Sequence, residues 1–538
     1  MPLASTSDLW WKNAVVYCMD IETFRDADGD GVGDIAGFIE RVDHLAALGV
    51  SCLWLMPFYP SPNRDDGYDI SDYLGVDPRL GDHGDVVEAI RHARERGLRV
   101  IVDLVGNHTS DEHPWFRSAR MSRSSPYRDY YVWSDDPSRE RGTSRDNWTW
   151  DETAGQYYLH RFQPFQPDLN IDSAAVRDEL AKTVGFWLQL GVSGFRMDAV
   201  PFLVEDVEAS GVESGEGKRW LRALREYAMR RRGDSMLMGE VNVELRDLES
   251  YFGEHGDALH LELAFLINQL MWLSLARGRA APLEELIRKL PVPPHDAGWA
   301  TFLRNHDELT LDKLSPEERD EVFAAFGPEE RMQIYGHGIR RRAASMLGGD
   351  GPRLRLAWSL MFSLPGTPVV LYGDEIGMGE DLDLEGRMSV RTPMQWAPDE
   401  GAGFTTSPRP VRPIVRGEFG PEHVNVAAQR HDRDSLLSWM ARLVRCRRET
   451  PEIGWGASTL IENDPPELFA HRCDWEGSTV LAVHNLSDAD VAADLDLGAE
   501  VTGVDDLLEG RDHHVEPGGR LRVALGPYGY LWLRARRA

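Results

Sequence analysis

Along the first 450 residues, short apolar or β-branched runs alternate with longer stretches whose apolar positions return at helical spacing, and each run closes in polar residues. The runs predict eight strands: Val15 to Ile21, Cys52 to Phe58, Arg99 to Val105, Gly194 to Val200, Met236 to Val241, Ala258 to Phe265, Trp299 to Asn305 and Pro368 to Tyr372. Between them the helices are amphipathic. In Ala174 to Leu190, the residues Val176, Leu180, Val184 and Trp187 recur at steps of four and three and form one stripe suited to covering a sheet. Eight strands with intervening helices, and no GxGxxG opening an early helix, predict a closed parallel (β/α)8 barrel of the TIM type rather than an open doubly wound sheet. The connection from Gly106 to about Asn170 is far too long for a crossover and is rich in Trp, Tyr, Asp, Ser and Pro, with strand-like pieces such as Gln156 to Arg161. It reads as a subdomain inserted after strand three. Beyond the amphipathic segment Asp434 to Arg448 the pattern changes to short alternating runs (Leu468 to His471, Thr479 to His484, Val491 to Leu497, Arg520 to Ala524, Gly529 to Leu533). The expected organisation is a barrel over 1–105 and 171–450, an inserted subdomain over 106–170 and a C-terminal antiparallel β-sandwich over 451–538.

Composition narrows the partners. The chain has 538 residues, 42% apolar and 28% charged, with 59 basic and 89 acidic residues for a net charge of −30, which disfavours nucleic acid and anionic membrane surfaces. The cluster Arg340-Arg341-Arg342 is expected on a solvated helical face. Cys18, Cys52, Cys446 and Cys473 have no metal or disulfide spacing and are expected as reduced, buried thiols. No basic-then-apolar leader and no long apolar run is present, so a cytoplasmic protein without a membrane segment is expected. A homo-oligomer is compatible with the sequence, which does not fix the assembly. Trp115, Phe116, Trp148 and Trp150 suit either sugar stacking at a pocket mouth or packing of the inserted subdomain.

Polar residues at the predicted strand ends form one set: Asp103, Asn107 and His108 after strand three, Arg196 and Asp198 on strand four, Glu240 on strand five, His306 and Asp307 after strand seven. Singly, each is as well explained as a cap or turn residue. Together they suit retaining glycoside cleavage, which needs a carboxylate nucleophile and a protonated carboxylic acid roughly 5 to 5.5 Å apart. Arg196 lies two residues before Asp198, so on a strand both face one way and the cation favours an ionised Asp198, the nucleophile. Glu240 follows Met236-Leu237-Met238-Gly239, apolar surroundings that raise a carboxyl toward the range of a general acid. Asp307 can accept hydrogen bonds from sugar 2- and 3-hydroxyls, and neutral His108 and His306 can bind neighbouring ones. Separately, Asp26, Asp28, Asp30, Val32 and Asp34 offer oxygen ligands at alternate positions among glycines, as a structural Ca²⁺ would require, although Gly37 stands where an EF-hand has its bidentate Glu. An acidic turn without metal is the alternative. No organic cofactor is expected.

VDLVGNHTS (102–110), QPDLN (166–170), GFRMDAV (194–200), MGEVN (238–242) and FLRNHDE (302–308) resemble, in order and spacing, the sequence regions of the α-amylase superfamily of retaining α-glycoside enzymes. WKNAVVY, LMPFYPSPNRDDGYDISDY, NHTSDEHPWF, GIRRR, SLPGTPVVLYGDEIGMG and VRTPMQW are similar to its trehalose synthase branch, beside the oligo-1,6-glucosidases. The resemblance implies that Asp198, Glu240 and Asp307 are catalytic, that Asp65, Tyr68 and Arg391 close a glucose pocket, and that Asn242 and Glu308 hold a second sugar. It implies small α-glucosides as substrates: maltose and trehalose interconverted, or, in the alternative, short oligosaccharides hydrolysed or transglucosylated. The strand-one sequence Tyr17-Cys18-Met19-Asp20-Ile21-Glu22 departs from the branch, Gly106 replaces a larger residue, and the stretches Asp135 to Asn147 and Val204 to Lys218 look shortened. A transporter heavy chain that keeps the barrel without catalysis is disfavoured, since the catalytic residues are retained.

Overall fold

The computed structural model describes residues 6–139, 144–209 and 216–537. Residues 140–143 and 210–215, within the two stretches that look shortened, lie outside it, as do the first five residues assigned to the barrel. Eight parallel strands close into a barrel: β1 Val16–Met19, β2 Cys52–Leu55, β3 Arg99–Leu104, β4 Gly194–Met197, β5 Met236–Gly239, β6 Leu261–Leu263, β7 Gly298–Phe302 and β8 Thr367–Leu371, with β1 pairing β8 and β2. The eight predicted strands are all present. Each ends before its apolar run does, by a single residue at β3 and β8, because the last residues turn out of the ladder to line the rim. β6 is shortest, since Phe265 already starts the helix Phe265–Arg277. Parallel register keeps one face of every strand inward, so Trp54, Ile101, Arg196 and Met238 share the interior. The helix Ala174–Leu190 has the predicted bounds and buries Val176, Leu180, Val184 and Trp187.

Between β3 and β4 lies a small body with the helix Pro114–Met121 and a three-stranded antiparallel sheet, Trp133–Ser134, Trp148–Asp151 and Gln156–Leu159. Bridges between His108 and Asp168 and between Tyr131 and Leu169 tie its two ends together. The C-terminal strands form a five-stranded and a three-stranded antiparallel sheet sharing one apolar core, with Leu481 and Leu533 from the first and Leu495 and Val523 from the second. Three of these strands, Ala457–Leu460, Val501–Asp506 and Val515–Glu516, were not predicted, because exposed polar residues interrupt their apolar positions.

One region carries structure that the apolar pattern leaves unread, and one expectation changes. After β7 the chain does not cross directly to β8 but first builds a small sheet from Leu309–Thr310, Gln333–Ile334 and Gly338–Ile339. The Arg340-Arg341-Arg342 cluster is not a solvated helical face. It follows that sheet in extended chain, and Arg342 is wholly buried, donating from Nη1 to Tyr372 O at 2.7 Å and from Nε to Val390 O at 3.0 Å. The four cysteines are free and buried. No helix of the described residues is long and apolar enough to cross a membrane.

Candidate active site

A cavity of about 800 Å³ opens at the C-terminal ends of the strands, where barrel proteins collect their chemistry. At its base, the buried Arg196 guanidinium donates from Nη1 to Asp198 Oδ1 (2.6 Å) and Asp103 Oδ1 (2.5 Å), and from Nη2 to Glu240 Oε2 (2.7 Å). Strand periodicity anticipates the first contact. The other two follow from register across β3, β4 and β5, which places Asp103 and the end of β5 beside Arg196. One cation facing three carboxylates away from water cannot keep all three ionised. Burial pushes Asp103 and Asp198 up to about 6 and Glu240 up to about 7, with Arg196 opposing the rise in each. Glu240 therefore holds a proton most firmly, and Asp198 gives its proton up sooner. Ala199, at φ 49°, turns its N–H onto Glu240 Oε2 at 3.1 Å. A non-glycine residue in this region marks local strain between the two carboxyls.

The inner wall is cross-braced. Asp307 Oδ1 accepts from Arg387 Nη1 and Arg391 Nη2, both at 2.8 Å, and His306 Nε2 is 3.2 Å from Oδ2. Burial alone would raise the Asp307 carboxyl, but Arg387 and Arg391 hold it well below the usual carboxylate range. Tyr68 stacks parallel to His306, its hydroxyl 2.7 Å from Nε2. Gln166 Nε2 donates to Asp65 Oδ2 at 2.7 Å and meets His108 Nε2 at 3.2 Å. Burial lowers His108 to about 4 and His306 well below its ordinary value, so both rings are neutral at pH 7 and suited to hydroxyl groups.

Toward the mouth, Asn242 Nδ2 donates to the Asp312 carboxylate at 3.1 Å, which Lys313 Nζ also approaches at 3.2 Å, and Arg387 Nε lies 2.9 Å from Glu308. Phe162 and Phe202 meet edge to face on one side; Tyr335 and His337 form the other. Eight of the predicted residues line the cavity: Asp65, Tyr68, His108, Asp198, Glu240, Asn242, Asp307 and Glu308. Arg196, His306 and Arg391 stand directly behind them. Asp103, Gln166, Arg387, Asp312 and Tyr335 were given no role from sequence. Two carried a signal, Asp103 as a carboxylate near the end of β3 and Gln166 as the first residue of QPDLN. Trp115, Phe116, Trp148 and Trp150 do not line the cavity; Phe116 is buried against Tyr131, Trp133 and Tyr158.

The acidic loop does not line the cavity either. Asp26, Asp28 and Asp34 each bring a carboxylate oxygen within 4.8 Å of the others, a hard donor set that fits a divalent cation. Asp30 is not drawn into this group, and its Oδ1 accepts from Val32 N–H at 2.7 Å. The loop needs Gly31, at φ 105°, where a Cβ would meet Arg409 O at 2.1 Å.

Comparison with known sequences gives two family matches: "Alpha amylase, catalytic domain" over residues 21–319 and 329–456, and "Sucrose hydrolase-like, C-terminal domain" over 477–534. The chain is 41% identical over 534 residues to a trehalose synthase of Thermus thermophilus, covering 97% of this chain but only 55% of that protein. It is 41% identical over 505 residues to the trehalose synthase/amylase of Mycobacterium tuberculosis, covering 91% of this chain and 84% of the relative. Among solved structures, the trehalulose synthase of Pseudomonas mesoacidophila superposes with a TM-score of 0.78 at 28% identity, over 99% of this chain and all of that one.

Proposed function

Because the chain belongs to the α-amylase catalytic-domain family, we propose that it processes small α-glucosides with retention and acts as a trehalose synthase, interconverting maltose and trehalose. The observation that carries this reading is the single Arg196 fork, which holds an ionisable Asp198 and a proton-retaining Glu240 side by side at the base of a closed-ended cavity. Asp198 attacks C1 of the bound glucosyl unit while Glu240 gives its proton to the departing glycosidic oxygen, leaving a β-glucosyl ester on Asp198 and a free glucose in the outer cavity. The freed glucose turns and presents its anomeric hydroxyl. Glu240, now a carboxylate, takes that proton as the oxygen attacks C1 and Asp198 leaves. Asp307, fixed as an anion by two arginines, accepts hydrogen bonds from the ring hydroxyls, which strengthen as positive charge develops at C1. Tyr68, His108, Asp65 and Arg391 enclose the glucosyl unit; Asn242 and Glu308 face the second sugar.

The acidic loop is read as a Ca²⁺ site built by Asp26, Asp28 and Asp34 with the Asp30 and Val32 segment, its part being to stabilise the chain around it. Incubation with maltose and, separately, with trehalose, resolving glucose, maltose and trehalose over time, tests the function. Interconversion with little free glucose is expected. Glucose as the main product would make the protein an α-glucosidase, and longer oligosaccharides a transglucosidase, on the same first set of residues.

A further inference from the structure

Asp20 and Glu22, directly after β1, have an ionic partner far along the chain. Asp20, Glu22 and Asp66 are all buried, and each offers a carboxylate oxygen within 4.8 Å of the others, a grouping that would be prohibitive without positive charge. Arg412, itself buried, supplies it. Its Nη2 lies 2.7 Å from Glu22 Oε2 and also bonds Asp66 Oδ1, and its Nη1 lies 3.3 Å from Asp20 Oδ2. The same Nη1 donates to the backbone oxygen of Arg391 at 2.7 Å. Asp66 Oδ2 in turn accepts from Arg391 Nη1 at 2.7 Å, and Arg391 Nη2 reaches Asp307 at 2.8 Å. Asp66 is a non-glycine residue at φ 53°, a backbone state that persists only where surrounding contacts impose it. It sits between Asp65 and Tyr68, both of which line the cavity.

We propose that Arg412 is a positioning residue of the glucose pocket: it fixes Asp66 and the Arg391 backbone, and through them sets the Arg391 guanidinium on Asp307. Without Arg412, three buried carboxylates lose their shared cation and Asp66 is left to compete with Asp307 for Arg391. Two of those carboxylates come from the segment directly after β1. Arg412 is thus the buried cation that Asp20, Glu22 and Asp66 share behind the pocket, with Arg79 Nη1 a second partner of Glu22 at 2.6 Å. The mechanical link is short. The segment before Arg412 is held by Asp26 N–H to Phe404 O at 3.0 Å and by Val411 N–H to Gly31 O at 2.7 Å, so its position is set by neighbours outside the cavity.

This inference rests on the glucoside reading above, and the test separates the two. Wild type, Arg412→Lys, Arg412→Met and the triple variant Asp20→Asn/Glu22→Gln/Arg412→Met are compared on p-nitrophenyl α-glucoside and maltose, with melting curves for each. No turnover by the wild type on either substrate would sink the functional reading itself. With an active wild type, Arg412→Met is expected to lose at least tenfold in kcat/KM, and Arg412→Lys, which keeps the charge but not the two-nitrogen fork, to recover only part of that loss. The triple variant relieves the unpaired charges, so it should regain melting temperature while kcat/KM stays low. If Arg412→Met folds and keeps wild-type kcat/KM, or if the triple variant recovers activity together with stability, Arg412 only neutralises buried charge and the positioning role is wrong.

Discussion

The two ends of the cavity are built on opposite plans. At the inner end, charges are locked: the Arg391 side chain is 1% exposed and bonded to both Asp66 and Asp307, and Arg196 spans three carboxylates. At the outer end Tyr335 is 56% exposed, Phe202 is 39% exposed, and the polar groups pair across short loops. In the proposed reaction the glucosyl unit is common to both disaccharides, so fixed groups suit it, and preorganised charge is what stabilises a developing cation. A freed sugar that must turn before rejoining needs walls that do not hold one pose. The contrast therefore assigns bond breaking to the inner end and the choice between rejoining and hydrolysis to the outer end.

The largest effect should come from the inner end. Asp198→Ala removes the proposed nucleophile, and turnover of any α-glucoside should fall by about 10⁴-fold or more while the fold persists. Far-ultraviolet circular dichroism with a glucosidase assay checks both halves. Appreciable residual turnover would place the nucleophile elsewhere and blur the division between the ends.

Next in size is the pH response. The proposed mechanism requires Asp198 ionised and Glu240 protonated, so activity should rise as pH passes about 6 and fall as pH passes about 7, a narrow bell. Glu240→Gln should cost about 10²- to 10⁴-fold on maltose and abolish the falling limb, because no proton remains to be lost at high pH. A variant whose alkaline limb is unchanged would assign that limb to another group.

What could be read in sequence divides along the same line. Inner-end residues sit on or just after strands whose apolar runs are plain, so Asp198, Glu240 and Asp307 are legible from position alone, and the helix Ala174–Leu190 from its period. Much of the outer end comes from the chain between β7 and β8, where Asp312 and Tyr335 stand in turns beside two-residue strands, and from the short helical turn Gly386–Val390 after β8, which carries Arg387, none of it with a period to read. Arg412 and the buried Arg342 show the same limit. Their meaning lies in carboxylates and carbonyls distant in sequence, and a charged residue is taken for a surface one until those partners are seen.

A smaller effect, and the sharpest probe of the division, is expected from Asp312→Ala. Asp312 accepts from Asn242 at 3.1 Å and from Gln269 Nε2 at 3.0 Å but touches no inner-end group. Cleavage of p-nitrophenyl α-glucoside should therefore stay within about threefold of wild type, as expected for changes that leave transition-state contacts in place. The fraction of glucosyl units lost to water from maltose should rise severalfold. Equal losses in both assays would mean that the ends are one coupled unit.

The smallest effect on catalysis should come from outside both ends. Chelation should remove the proposed Ca²⁺, a ligand of the folded state only, and at a hundredfold excess over its Kd such a ligand contributes about 2.7 kcal/mol. The melting temperature should then drop by a few degrees and recover on adding Ca²⁺. Asp28→Ala, which removes one of the three converging carboxylates, should abolish the difference between the two curves. The loop nevertheless packs against the segment leading to Arg412, with Thr405 Oγ1 donating to Asp26 and Val411 N–H to Gly31 O. If loss of the cation only lowers stability, the product ratio from maltose will be the same with and without chelator at a temperature well below melting. A ratio that shifts toward glucose under chelation would show that the loop also sets the cavity's geometry, and neither end would then be independent of it.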